Sequence, residues 1–273
     1  MRVPPRPSPA PAVLRLVQLA VLGRWREAGE QLYHAVADVT EAAHGHELLV
    51  SGCGDGVSAE WLATRTGASV TAVDADADRI ERAEHRSRTA ARDGRRRPTL
   101  SFQHAALDDL PHETAVFDVA VGEPAVASAA DPARAVAELV RVTKPMGIVV
   151  LLQATWGSEL SADERELVVA RLGMRPHLLV EWKRMLRSAG VVDVSVQDWT
   201  PGSASAADDW PTGYTWSEKA QIVGRAMRTS GNGWREIRAC VQREIGLLRE
   251  LADERAIGFQ LIRGVKWPAA PRA

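Results

Sequence analysis

The sequence predicts a doubly wound α/β fold on a seven-stranded, mostly parallel sheet. Two observations carry that expectation. Between residues 47 and 199, short apolar runs alternate with helical patterns, the signature of βαβ units whose sheet is covered on both faces. A glycine-rich turn, Gly52-Cys53-Gly54-Asp55-Gly56, separates the first apolar run from the first helical one. In an open parallel sheet that is where a ligand is held. The composition agrees: 273 residues with 45% apolar and 25% charged side chains suit a globular protein with one large domain and an appended piece.

The elements follow in order. Residues 1–11 are Pro-rich and read as a flexible tail. Residues 12–44 carry apolar positions at helical spacing and predict an N-terminal helical cap, broken near Gly23. Arg15 and Gln18 interrupt its apolar run, so the segment reads as a helix rather than a secretory leader. The core, residues 45–200, then runs through six strands: "ELLVSG", "ASVTAVDA", "TLSFQHA", "AVFDVAVGE", "GIVVLLQ" and "VVDVSVQDW". Its helices are "GVSAEWLATRTG", "DADRIERAEHRSRTAARDG", "DPARAVAELVRVTKP" and "HLLVEWKRMLRSAG". Asp76 or Asp78 opens the second, and Asp131 caps the third ahead of Pro132.

Residues 201–256 are a polar Gly/Pro/Ser-rich loop followed by two helical patterns, too long for an ordinary connection, and predict a helical lid over the working edge of the sheet. Residues 257–273 supply the seventh strand, "IGFQLIRGVKW", and a short tail belonging to the core.

Several function classes are disfavoured at once. A formal net charge of -1 lacks a nucleic-acid footprint. The one basic cluster, residues 85–98, reads as a solvated helix end. Cys53 and Cys240 are too few for a disulfide framework or a cysteine-based zinc site, so no metal is expected and a cytoplasmic location is. No run reaches the roughly 20 apolar residues of a membrane span.

The glycine spacing bears on the ligand. The dinucleotide fingerprint is G-x-G-x-x-G, whereas this loop reads G-x-G-x-G and puts Val57 where the third glycine belongs. That weakens an NAD(P)-dependent oxidoreductase. Asp74 ends the second strand, where a carboxylate can accept both ribose hydroxyls of an adenosine. Asp74 alone does not choose between cofactors.

Four stretches taken together, "LLVSGCGDG", "VTAVDAD", "LDDLPHETAVFDVAVGE" and "ELVRVTKPMG", resemble the motifs of class I methyltransferases that use S-adenosylmethionine (SAM). They are most similar to the small-molecule branch that includes quinone-type C-methyltransferases, and the likeness runs from about Glu47 to Trp199, with "FQLIRGVKW" fitting that fold's reversed last strand. The resemblance implies a Rossmann-like sheet, SAM as cofactor and a small, partly apolar methyl acceptor whose accepting atom is oxygen, carbon or nitrogen. It places Gly52, Cys53, Gly54, Asp55 and Gly56 around the methionine part of SAM, Asp74 on the ribose, Ala75 against adenine, and Ala106 and Leu107 beside the adenine amino group. Glu123 would sit near the methionine end and the acceptor, binding the amine or acting as a base.

This chain departs from the family pattern at three places. Val50 stands where an acidic residue is usual, Ala106 where an aspartate is, with Asp108 and Asp109 nearby, and Met146 where the "KPGG" turn has its first glycine. They keep open a second reading, an inactive SAM-binding or interaction module.

No catalytic signature is evident, since a sulfonium methyl donor needs a base only for some acceptors. The candidates are Glu123, His112 in the loop before the fourth strand, Tyr33 and His34 on the N-terminal helix, and Tyr214 in the insertion. Seven of the nine tryptophans fall at or after Trp156. Trp182 and Trp199 read as core, while Trp210, Trp216 and Trp234 either anchor the insertion or line an apolar pocket. "GEPA" after the fourth strand differs from the Asn/Asp-Pro-Pro-aromatic motif of methyltransferases acting on DNA bases or glutamine.

Overall fold

Why the chain pairs its strands as it does follows from where the apolar runs can be buried. The computed structural model describes residues 32–91, 99–157, 160–172, 175–199, 224, 227–228 and 233–268. Helix α1 covers 32–40. It is followed by β1 (Glu47–Ser51), α2 (Val57–Thr66), β2 (Ser69–Asp74), α3 (Ala77–Ala91), β3 (Leu100–His104) and β4 (Phe117–Gly122). A 3₁₀ turn (Pro124–Ser128) then leads to α4 (Pro132–Val142), β5 (Thr143–Trp156), α5 (Ala162–Leu172), β6 (His177–Leu178), α6 (Leu179–Ser188), β7 (Val191–Asp198), α7 (Trp234–Asp253) and β8 (Ile257–Lys266).

The sheet order is β3-β2-β1-β4-β5-β8-β7. Strands β3, β2, β1, β4 and β5 are parallel, and β8 runs antiparallel to β7. An eighth strand, the two-residue β6, pairs with β5 off that path. The sequence predicts a helix from His177; its first two residues pair with β5 instead, and the Leu178 N–H donates to Glu181 Oε2 (2.7 Å) at the helix entry.

Two compact units share the chain. The larger takes in Tyr33–Gln153, His177–Asp198 and Gln260–Ala273, the smaller Ala154–Pro176 and Trp199–Phe259 together with residues 1–32. In the larger, Leu49, Val73, Ala120 and Leu151 of the sheet bury against Val136 and Leu139 of α4 and Trp182 and Leu186 of α6. Trp182 is in the core, as the sequence predicts. Asp131 caps α4, accepting from the Ala133 and Arg134 N–H groups at 3.0 Å each. Asp76, not Asp78, opens α3, with Oδ1 accepting from the Arg79 N–H (3.1 Å).

The smaller unit has its own core of Leu160, Val168, Leu247, Leu251, Ala256 and Ile257. Helix α5 is absent from the sequence reading. Its start is a capping box: the Ser161 N–H donates to Glu164 Oε2 (3.0 Å), and the Glu164 N–H to Ser161 Oγ (3.3 Å). The N-terminal tail, the first part of the helical cap, residues 92–98 and the loop and first helix of the insertion up to residue 223 lie outside the described residues. Among the described residues no helix is long and apolar enough to cross a membrane.

Candidate functional site

Strand order reverses between β1 and β4: the chain leaves β1 outward to β2 and β3, then returns to build β4 and β5 on the other side. Ligands bind at the carboxyl ends of the strands flanking that point, and the glycine loop lies there. Its backbone is tied to β2, since the Gly52 and Cys53 N–H groups both donate to the Val73 carbonyl (2.7 and 3.0 Å). Gly52, Gly54 and Gly56 all have positive φ, at 82°, 56° and 78°.

The last two glycines serve different ends. A Cβ on Gly56 would strike the Phe102 ring at 2.5 Å and Ala83 at 2.9 Å, so that glycine allows α2 to start against α3 and β3. Among the described residues, a Cβ on Gly54 would meet no atom within 4 Å beyond its chain neighbours. That glycine leaves open room beside the loop.

Asp74 faces the same loop. It is 3% exposed, and its oxygens accept from the Gly54 N–H (2.8 Å) and the Asp76 N–H (2.9 Å). Each carboxylate oxygen has a second lone pair, so the group can still receive a vicinal diol. The Ala105 N–H donates to the Asp74 carbonyl (3.1 Å) and brings the turn after β3 beside the end of β2. Ala75 and Ala106 are both exposed there. Leu107 turns into the core, leaving only its backbone to meet a ligand.

Two loop residues have their own surroundings. The Asp55 carboxylate accepts from Arg82 Nε of α3 (3.0 Å) and forms an ion pair with the same guanidinium, Nη2 lying at 2.9 Å. The Cys53 thiol is pushed far above the usual thiol range by burial and then by Asp74 and Glu123, so it stays protonated and is no nucleophile.

Glu123, at the end of β4, is 6% exposed. Its N–H donates to the Ser51 carbonyl (2.9 Å), directly before the glycine loop. The Tyr33 hydroxyl of α1 donates to both of its carboxylate oxygens, at 2.9 and 3.0 Å. His34 is exposed and packs edge-on against Trp61 of α2, 5.0 Å between ring centres. Asp108, near Ala106, accepts from the Asp131 N–H (3.1 Å) at the entry to α4.

His112 lies elsewhere. It packs edge-on against Phe117 at the amino end of β4, 5.1 Å between ring centres, and its carbonyl accepts from Arg141 (2.8 Å). Burial and then the Arg141 charge hold its imidazole below the usual histidine range. It is at the wrong end of the strands for the expected role. Tyr214 lies outside the described residues.

One site residue was missed in the sequence. Gln153 of β5 is fully buried, and its Nε2 donates to the carbonyls of Gly122 (3.3 Å) and Glu123 (2.8 Å) just past the end of the β4–β5 ladder. Its Oε1 has no hydrogen-bond partner among the described residues. The available signal was a lone glutamine closing the apolar run "GIVVLLQ".

Against known proteins, residues 49–151 match the family model described as a methyltransferase domain. The chain is 29% identical over 177 residues to 27-O-demethylrifamycin SV methyltransferase of Amycolatopsis mediterranei, covering 63% of each chain. The chain spans less than two thirds of the length of the curated relatives it matches, from 40% to 63%. Geranyl diphosphate C-methyltransferase from Streptomyces coelicolor, solved with S-adenosyl-L-homocysteine, superposes with a TM-score of 0.64 at 15% identity, over 88% of this chain and 80% of that one. The [4+2]-cyclase SpnF superposes with a TM-score of 0.65 at 19% identity, over 97% of this chain and 100% of that one. Both likenesses are of fold.

Proposed function

We propose, for a chain whose residues 49–151 are a class I methyltransferase domain, that the protein binds SAM and methylates a small, partly apolar metabolite. The observation that carries this reading is the pairing of Gly54 with Asp74. The loop glycine leaves open room beside the backbone, and the buried carboxylate reaches over to the same glycine's N–H. Asp74 would hold the ribose hydroxyls, and the turn at Ala75 and Ala106 would lie along the adenine.

When bound, SAM supplies a methyl group already activated on a sulfonium. What the chain itself must do is hold donor and acceptor in line and exclude water, which accounts for several kcal/mol of a barrier in well-oriented reactions. The backbone of the glycine loop and the carboxyl end of β4 are fixed by hydrogen bonds to β2 and β1, so the frame for that alignment is rigid. Protonated Cys53 takes no part as nucleophile. A cytoplasmic site of action fits the two unpaired cysteines.

The test is calorimetric titration with SAM and S-adenosylhomocysteine, NADH serving as control, on the wild type and Asp74→Ala. Micromolar binding of both adenosyl ligands, weakened about 10-fold or more in the variant and absent for NADH, is expected. NADH binding in their place would overturn the assignment. A second reading, adenosyl-ligand binding without methyl transfer, draws on the SpnF likeness, because that protein is named for a cyclisation and shares the fold along its whole length. It predicts ligand binding with no release of S-adenosylhomocysteine across a panel of acceptors.

A further inference from the structure

The glycine loop is built from residues with little conformational preference of their own. Gly52, Gly54 and Gly56 hold φ at 82°, 56° and 78°, a region that glycine enters freely and leaves as freely. What keeps this backbone in one shape must come from outside it. On the β2 side, the Val73 carbonyl receives the Gly52 and Cys53 N–H groups, and Asp74 Oδ2 receives the Gly54 N–H (2.8 Å). The far half of the loop is met by helix α3.

That helix reaches the loop from two places. At its start, the Asp76 N–H donates to Asp74 Oδ1 (2.9 Å), while the Asp76 carboxylate accepts from the Arg79 N–H (3.1 Å). Further along, Arg82 Nε donates to Asp55 Oδ1 (3.0 Å), and Nη2 lies 2.9 Å from the same oxygen. The next residue, Ala83, stands with Phe102 against the open side of Gly56. Beyond it, Arg86 forms an ion pair with Glu60 of α2 (3.5 Å). The contacts close a circuit: Gly54 to Asp74, Asp74 to Asp76, then along α3 to Arg82 and back to Asp55, next to Gly54. The Asp55 side chain is only 9% exposed, so this link is less screened than a surface pair.

We propose that Arg82 is a positioning residue for the cofactor loop, fixing its far half against α3 through Asp55 before any ligand arrives. The proposal rests on the reading of the loop as a SAM site. A loop already ordered spares the ligand the entropy of ordering a glycine segment at binding. Arg82 acts in this way without contact to the ligand.

The test is calorimetric titration of the full chain with S-adenosylhomocysteine, on the wild type, Arg82→Met, Arg82→Lys, Asp55→Asn and the double variant Asp55→Asn/Arg82→Met. Arg82→Met weakens binding about 3- to 10-fold, the cost of ordering one or two groups on association. Arg82→Lys stays within about 2-fold, because both guanidinium nitrogens address one oxygen and a single ammonium can replace them. In the Asp55→Asn background, Arg82→Met changes the affinity by less than about 2-fold. Amide exchange on the ligand-free chain reads the loop itself. The Gly56 N–H, bonded to the Cys53 carbonyl, exchanges about 3- to 10-fold faster in Arg82→Met, while the amides of β1 keep their wild-type rates and report an intact fold. Unchanged affinity in Arg82→Met, an equal loss in the Asp55→Asn background, or an equal rise of exchange in β1 overturns the proposal. A wild type that fails to bind S-adenosylhomocysteine overturns the SAM site instead, and the exchange experiment, which needs no ligand, still decides whether Arg82 anchors the loop.

Discussion

Met146 holds φ at 64°, in the left-handed region, and leaves 58% of its surface exposed. A side chain in that region costs about 1–2 kcal/mol, part of which glycine's extra freedom in the unfolded chain takes back. Met146→Gly should therefore stabilise the protein by about 0.5–1 kcal/mol, measured as a higher urea midpoint with unchanged slope. The glycine loop and Asp74 were legible at this scale because their residue types answer backbone and charge requirements that spacing alone reveals. The Asp55–Arg82 ion pair was not, because Arg82 comes from α3 and is met only once the helices pack. Gln153 was missed for the same reason, since its partners lie on a neighbouring strand.

Helix α4 shows how one element ties down another. Glu138 accepts from Arg141 at 2.6 Å (Nε) and 2.7 Å (Nη2), and from the Leu110 N–H at 2.9 Å. Arg141 in turn donates to the carbonyls of Leu110 (3.1 Å) and His112 (2.8 Å), so the pair pins the loop before β4 to the helix. The Arg141 hydrogen bonds, with the Leu110 N–H, hold the Glu138 carboxyl below the usual glutamate range. A carboxyl depressed in the folded state lends stability above its unfolded value of about 4.3, and that contribution fades as pH falls through the folded value. Glu138→Gln should cost about 1–3 kcal/mol at pH 7, with the gap to wild type narrowing below about pH 4. Denaturant midpoints at the two pH values check this; a gap constant with pH would contradict it. Among the elements, the caps at Asp131 and Asp76 were readable from the sequence. The capping box at Ser161 and Glu164 carries the same kind of signal, for a helix that stands outside the strand alternation in the second unit.

For the molecule as a whole, alternation of apolar runs and helical patterns was enough to specify the parallel sheet, and the reversed last strand came from the resemblance. The resemblance put Asp74 and Glu123 at the switch point; what neither supplied was the Tyr33 hydroxyl on Glu123 and the buried Gln153 beside it, contacts that depend on strand order β2-β1-β4-β5. The central claim is that this end is a cradle for an adenosyl ligand, and Gly54 tests it most directly. Gly54→Ala places a methyl group where, among the described residues, no atom beyond its chain neighbours stands within 4 Å. The protein should lose only the left-handed strain of about 1–2 kcal/mol, read as a modest fall in melting temperature. The decisive measurement is the dissociation constant of S-adenosylhomocysteine for this folded variant. A rise of about 10-fold or more over wild type is the predicted result; wild-type affinity would show that nothing is held against the loop and would contradict the account.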